Sequence, residues 1–584
     1  MNCRFRRQPA ILLLGTALAL AFAVLPVDAQ EVPVQERALP NGFRVLVVER
    51  AEETTIAAGF VVRVGSANER PGITGIAHLF EHMMFKGTPT VGTRDAARDR
   101  EIIDRQEEVR EAMRAEERIV LAAWRRGEVD DPTRLENQTP RYRELAAEFR
   151  KLIEEQRALL VKNEFDRIYT TAGGSGMNAF TTHDLTAYFI TVPANKLELW
   201  CWMESERLLR PVFREFYAER DVVFEERRMR TESTPLGKFE EAFQSMFWEA
   251  HPYQWPVIGW ASDIPAISRR DADEFYARYY NPANITLVLV GNLDLDAAWP
   301  MFERYFGRIP GGKEAAPPVV TREPPQVAEK RMLAEAEANP QVDILFHTVP
   351  FQHRDSYALQ VLDGLLDGRT GRLHKGLVLG REVATETYTA TDHRRWAGLF
   401  NVGAELREGR THEELEQAIH AELDRLKNEE VPAEELQKVK NNFAANEYRK
   451  LTSNMRILYQ LLFYEGSGDW REINLAGPRI QAVTAADIQR VARTYFTREN
   501  RAVAIYSRKP ASSSGEDPDL AGLSPEQLPA IRQVLARIRE ETDASRLREM
   551  LGRMEAQTSD PRRQQFQRIV RRKLEQRLAE LNTP

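Results

Sequence analysis

The turn Leu39-Pro40-Asn41-Gly42 leads into Phe43 to Val48, a run of β-forming side chains that predicts a strand. Ala57 to Gly65 predicts a second strand. After Pro71-Gly72, the segment Gly75 to Thr88 places Ile76, Leu79, Phe80, Met83, Met84 and Phe85 around most of a helix surface, so that helix is buried. From about Thr93 to Phe165 the pattern changes. Ile102, Val109, Met113 and Val120 fall on heptad-like positions amid dense Glu and Arg, Pro132 and Pro140 bracket a break, and Leu145, Phe149, Leu152 and Leu159 resume the pattern. This predicts a charged antiparallel helical hairpin standing out from its domain. The plain reading is a solvated decoration; a lid or a partner contact is the sharper one. Gly173 to Thr182 reads as a glycine-rich loop running into a strand that ends near Val192. It is a poor phosphate loop, because no Lys-Ser/Thr follows the glycines. A helix carrying Leu197, Trp200, Met203 and Leu208 then precedes the acidic stretch Phe216 to Arg227.

The chain repeats itself. A capped helix and apolar strand run from Ile267 through Tyr279 to Val290, and again from Val483 through Tyr495 to Tyr506. Ser268 matches Thr484, Asp271 matches Asp487, Tyr279 matches Tyr495 and Asn284 matches Asn500, all at one offset (487 − 271 = 216). Two related α+β units follow, residues 30–311 and 326–508, joined by a Gly/Pro-rich linker at 312–325. A flexible connector spans 509–523 and a helical extension 524–584, opened by the capping-box sequence Ser524-Pro525-Glu526-Gln527. Leu528, Ile531, Leu535 and Ile538 form one apolar stripe there; Phe566, Val570 and Leu574 form another.

Residues 1–29 read as a signal peptide: Arg4, Arg6 and Arg7, then the apolar run Ile11 to Leu25, then Val27-Asp28-Ala29 before cleavage at Gln30, with a retained N-terminal anchor as the alternative. No later stretch has the length a membrane span needs. Cleavage removes three Arg and one Asp, moving the formal charge of the 584-residue chain from −7 to −9. Mild acidity without a basic stripe argues against nucleic acid as a partner. Only Cys201 remains in the mature chain, which excludes an internal disulfide. Export without a disulfide framework points to the periplasm.

Within the buried helix stand His78, Glu81 and His82. Histidines at i and i+4 lie about 40° apart around the axis and face one way. Neutral imidazoles at this spacing are a ready pair of zinc ligands, and a carboxylate beside them can take a proton from water held there. The order His-x-x-Glu-His inverts the commoner His-Glu-x-x-His. Two surface histidines and a glutamate would be the bland alternative, but three polar groups inside a buried helix need partners. A catalytic zinc takes three protein ligands and keeps one position open. The acidic helix offers the third: Glu219 and Glu226 are seven residues apart and project from one face. One can ligate while the other supports the site from behind. Glu225 is the alternative ligand, about 100° away from Glu226 around the helix.

Leu39-Pro40-Asn41-Gly42 with its strand, His78-x-x-Glu81-His82, Gly173-Gly174 followed by Asn178-Ala179-Phe180-Thr181, and the Glu219/Glu226 pair together resemble the pitrilysin/insulinase family of inverted-motif zinc metallopeptidases, in its two-domain, processing-peptidase-like branch. The likeness covers most of residues 38 to 308 and, more loosely, about 326 to 508. It implies an α+β fold of two homologous α/β-roll units, each a mostly antiparallel sheet with helices packed on it. It implies one zinc per chain on His78, His82 and Glu226, with Glu81 as general base and Glu219 behind the ligands. Asn178, Ala179, Phe180 and Thr181 would lie on the edge strand to which a substrate peptide adds its own strand. The family often carries an Arg and a Tyr in the second half that hold substrate near the zinc, and Arg381 and Tyr388 fit that spacing. Thr385 stands where a glycine is usual, and a salt-bridged Arg with a core Tyr is the competing reading. His82 and Glu226 are separated by 143 residues (226 − 82 − 1), about twice the gap the resemblance implies, and the hairpin accounts for the excess.

The resemblance also implies four such units closing around an unfolded peptide. This chain has two, so a dimer is expected: a homodimer, or a heterodimer with a related zinc-less subunit, with the Arg/Tyr pair supplied from the other subunit. The expected activity is peptide hydrolysis at zinc. The alternatives are a non-catalytic peptide-binding or assembly subunit, and a maturase acting on a single peptide.

Overall fold

Strands β1 (Val34–Ala38), β2 (Arg44–Glu49), β3 (Thr55–Val62), β4 (Ser175–Thr181), β5 (Thr186–Pro193) and β6 (Ile285–Gly291) form one sheet in the order β1-β2-β6-β3-β5-β4. β6 is buried along its whole length and β3 nearly so, because helices cover both faces. β2 and β6 pair in parallel; the other pairs are antiparallel. A second sheet takes β7 (Lys330–Ala336), β8 (Gln341–Thr348), β9 (Ala384–His393), β10 (Gly398–Leu406) and β11 (Arg501–Arg508) in the order β7-β11-β8-β10-β9. The two orders match strand for strand once β1 is set aside. β4 and β9 are the corresponding open edges.

This computed structural model describes residues 31–312, 316–509, 531, 534–535, 537–538, 541, 543–553 and 561–581. The signal-peptide residues 1–29, most of the connector, Ser524 to Gln527 and Leu528 lie outside the described residues. The described residues fall into two compact units, one within Met1–Ala334 and Pro340–Ile505, the other within Glu335–Asn339 and Tyr506–Pro584. In the second, Ile531, Ile538, Leu547, Ile569, Val570 and Leu574 make a small core, with Leu535 and Phe566 packed against it. No described helix is long and apolar enough to cross a membrane.

The repeat read from the sequence has a structural counterpart. Ser268/Asp271 and Thr484/Asp487 both close capping boxes. Asn284 Nδ2 donates to the carbonyls of Tyr279 and Arg63, and Asn500 Nδ2 to those of Tyr495 and His347. The halves also exchange helices. Gly237–Phe247 ends against the second sheet, where Phe247 stacks on His347 at 3.8 Å and Lys330 Nζ bonds the Met246 and Phe247 carbonyls. In return Asn454–Ser467 lies over β3 and β6, burying Ile457, Leu458, Leu461 and Leu462 against Leu46, Ala57, Val61 and Val288. Glu465 of that helix is buried and receives Arg44, Arg63 and Thr286 from the first sheet.

Two sequence expectations change in detail. Gly173 to Val192 is not a loop and one strand but a β-hairpin, β4 and β5 turning at Thr182 to Leu185. The helical hairpin is present as Ala96–Arg125 and Pro140–Leu159, zipped by Ile102, Val109 and Met113 against Leu145 and Leu152. It is not detached from the chemistry, however. The buried Arg214 donates to Lys86, Thr88 and Val91 carbonyls and pairs with Asp99 at the hairpin's root. That ties the hairpin to the loop leaving the motif helix.

Candidate active site

The motif helix, Ile76–Met83, is held at its N-terminus by Glu69, which accepts from Gly75 N at 2.9 Å and Ala77 N at 2.8 Å. A carboxylate there meets the unpaired amides and the positive end of the helix dipole. Burial nevertheless pushes the Glu69 pKa well up. Gly75 has φ of +91° and abuts Gly259; a Cβ on it would sit 2.5 Å from the Ile258 carbonyl. Behind the helix, Tyr188 Oη donates to the Phe80 carbonyl, and the Arg207 guanidinium, paired with Glu204, sits among the rings of Phe60, Phe85, Phe165 and Tyr188. The helix is therefore fixed at its end and along its back.

On its open side, His78, His82 and Glu226 bring ligand atoms within 4.8 Å of one another. Glu226 Oε2 lies 3.8 Å from His78 Nε2 and 3.5 Å from His82 Nε2. A tetrahedral zinc with bonds of about 2.0–2.1 Å sets its ligands roughly 3.3–3.5 Å apart, so this donor set fits with a small contraction. Glu226 is delivered by the acidic helix Phe216–Arg227, and its second oxygen takes Arg230 at 2.8 Å. Glu225 points outward to Arg228. Glu219, from the same face as Glu226, accepts from His82 Nδ1 at 2.9 Å and binds Lys86 Nζ at 2.5 Å. This leaves the His82 Nε2 lone pair facing Glu226. Burial works to raise the Glu219 pKa, but the bonds from His82 and Lys86 outweigh it and hold the carboxyl at about 2. Burial likewise works to lower His82, but Glu219, Glu226 and Glu81 outweigh it and raise its pKa. His78 goes the other way: burial, then His82 and Arg230, pull it down to about 3, and its Nδ1 has no hydrogen-bond partner among the described residues.

Glu81 is half-buried and accepts from Thr181 Oγ1 at 2.7 Å. Burial raises its pKa, partly countered by that bond. The edge strand β4 thus touches the expected base directly. Beside them lies a cleft of about 470 Å³ lined by Glu81, His82, Phe85, Lys86, Asn178 and Glu219. Leu160 to Phe165, where the helical hairpin returns to the domain, form its far wall. Ala179 is buried behind β4 and Phe180 packs on the opposite face of the sheet.

Arg381 and Tyr388 do not line this cleft. Arg381 is exposed after the turn His374–Gly380, and Tyr388 on β9 donates through Oη to Asp343 at 2.7 Å. Sequence reasoning missed Glu69, Lys86, Arg214 and Arg230. Lys86, four residues after His82, and Arg230, four after Glu226, could have been found by the same helical spacing that pairs the histidines.

Two family models match the chain. One, described as Insulinase (Peptidase family M16), covers residues 44–119 and includes the motif; the other, described as Peptidase M16 inactive domain, covers 266–443. The zinc protease PqqE of Helicobacter pylori is 26% identical over 465 residues, 78% of this chain and 89% of that protein. An uncharacterized zinc protease of Mycobacterium leprae is 25% identical over 389 residues, 65% and 71% of the two chains. Among solved structures, a protease from Helicobacter pylori superposes with TM-score 0.66 at 24% identity, covering 82% of this chain and 99% of that one. The periplasmic protease PqqL from Escherichia coli gives TM-score 0.59 at 16% identity, with 86% of this chain spanning 50% of that one. With its fold, its motif and its relatives in agreement, the chain belongs to the insulinase (M16) family of peptidases.

Proposed function

We propose that this chain is a zinc-dependent endopeptidase acting on peptides or unfolded polypeptides. The observation that carries this is the convergence of His78 Nε2, His82 Nε2 and Glu226 Oε2, with Glu81 beside them on the same helix. These three residues would hold the zinc, which when bound supplies a Lewis acid that acidifies water and polarises a carbonyl. Glu81 then takes the proton from the attacking water and returns it to the leaving nitrogen. Thr181 holds the Glu81 carboxylate, and Glu219 keeps His82 in the tautomer that presents Nε2. The substrate adds as a strand along the open edge of β4, at Asn178 to Thr181, which brings its backbone past Glu81.

The active assembly is read as a pair of chains. This chain spans half of PqqL, and Arg381 and Tyr388 lie outside the cleft, so they would serve a partner's site. The basic start, apolar run and Val27-Asp28-Ala29 support export, and the periplasm as its destination. One observation favours the second reading, a non-catalytic peptide-binding subunit: among the described residues, His78 Nδ1 lacks the partner that zinc-binding histidines ordinarily have.

Zinc content and cleavage of a quenched peptide, compared between wild type and Glu81→Gln, separate the two. The expected result is one zinc per chain in both and a loss of hydrolysis of about 10²–10⁴-fold in the variant. Zinc bound with no hydrolysis by wild type, partner subunit supplied, would establish the second reading.

A further inference from the structure

The helix Asn454–Ser467 buries Ile457, Leu458, Leu461 and Leu462 on the first sheet but leaves two aromatic rings, Tyr459 and Phe463, 38% and 39% exposed.

Their location gives them a use. Side chains alternate along β4. Met177, Ala179 and Thr181 turn toward the motif helix, and Thr181 reaches Glu81; Phe180 turns the other way, under helix Asn454–Ser467. There Tyr459 lies 6.1 Å from the Phe180 ring and 4.6 Å from that of Phe189, while Phe463 meets Phe351 at 6.4 Å. Tyr459 therefore stands on the last strand of the sheet, and Phe463 follows one turn along the same helical face.

We propose that Tyr459 and Phe463 form a binding site for alternate apolar side chains of the peptide strand that adds to β4. This rests on the edge-strand docking in the proposed function and goes further, by naming which residues of the peptide are read away from the zinc. A peptide on β4 sends every second side chain to this face. Those side chains recur every 6.6–6.8 Å or so along a strand, and positions four apart on a helix recur about every 6 Å, so two aromatic rings match two successive side chains. The substrate class is an extended polypeptide with aliphatic or aromatic residues at i and i+2.

The test uses zinc-loaded Glu81→Gln, which binds without cutting, and two labelled peptides, one with Leu at i and i+2 and one with Ser there. Anisotropy is read with the Tyr459→Ser/Phe463→Ser pair added. The expected result is about tenfold weaker binding of the Leu peptide, little change for the Ser peptide, and full binding retained by Tyr459→Phe. Equal weakening of both peptides, no weakening of either, or no binding of either peptide before the aromatic pair is changed would overturn the proposal. So would a drop in the protein's mass in solution in the double variant, because a second copy would then be the occupant. If the Leu peptide binds as expected but wild type never cleaves it, the subsite stands and the peptidase reading fails. If wild type cleaves it and the aromatic pair has no effect, the reverse holds.

Discussion

In the first half the helix after β3 carries His78, Glu81 and His82. In the second half the helix after β8, Arg354–Leu366, buries Leu359, Val361, Leu362, Leu365 and Leu366 and contains neither His nor Glu. The offset of 216 places Glu435 opposite Glu219 and Asn442 opposite Glu226; Glu435 pairs with Arg372, and Asn442 is exposed. One scaffold is thus built twice, once with His, Glu and His along the helix and once with Leu and Val, the second helix keeping its buried Asp355 and Ser356 to the first turn. The comparison teaches that the polar residues of the motif helix are not needed for folding. Where they occur, the first half gives each a partner: Glu219, itself bound by Lys86, behind His82, Thr181 against Glu81, Arg230 on Glu226. His78 Nδ1 is the exception.

The strongest way to break the comparison is to make the first half resemble the second. His78→Leu should abolish zinc binding and hydrolysis, yet the metal-free protein should be as stable as wild type or about 1 kcal/mol more so, since a buried unpartnered nitrogen is removed. Zinc content and urea unfolding in chelator check both halves of that statement. A loss of stability without metal would mean that His78 serves the fold. Glu219→Gln sharpens the contrast by keeping a side chain of similar shape and losing its charge. Zinc affinity should fall about 10–100-fold, read by competition with a chelating dye.

Thr181→Ala should have a smaller effect, a fall of a few-fold in kcat/KM. The Thr181 bond lowers the Glu81 pKa against the pull of burial, so its loss raises that pKa and moves the acidic limb of the pH–rate profile to higher pH. An unmoved limb would make Thr181 a purely structural contact.

The smallest expected effect lies where the first half's helix meets the second sheet. Burial pulls both His251 and His347 down to about 4. The folded protein keeps them neutral there, while the unfolded chain takes up protons from about pH 6.5. Stability is therefore unaffected above pH 6.5 and declines as pH falls toward 4. The urea midpoint should drop between pH 7.5 and 5, and drop less in His347→Phe, which keeps a ring against Phe247. Equal drops would remove His347 from this account.

What the sequence could show is what repeats or what sits at helical spacing. The capped helices at Ser268 and Thr484, the paired Asn284 and Asn500, the histidines four apart and the acids seven apart are all local patterns, and the structure places Glu226, not Glu225, toward the histidines. Contacts across the chain left no pattern to read. Glu81 and Thr181 are one hundred positions apart, and Arg214 reaches back to Thr88 across the whole hairpin. The exchange of helices between halves is invisible for the same reason: no local pattern in Gly237–Phe247 or Asn454–Ser467 says which sheet each will cover.

The most direct test of the central claim is diffraction at the zinc absorption edge from Glu81→Gln crystals grown with zinc. The account predicts one anomalous peak per chain, within about 2.0–2.2 Å of Nε2 of His78, Nε2 of His82 and a carboxylate oxygen of Glu226. A peak held by other residues, or no peak at these three in a protein whose wild type cleaves peptides, would contradict it.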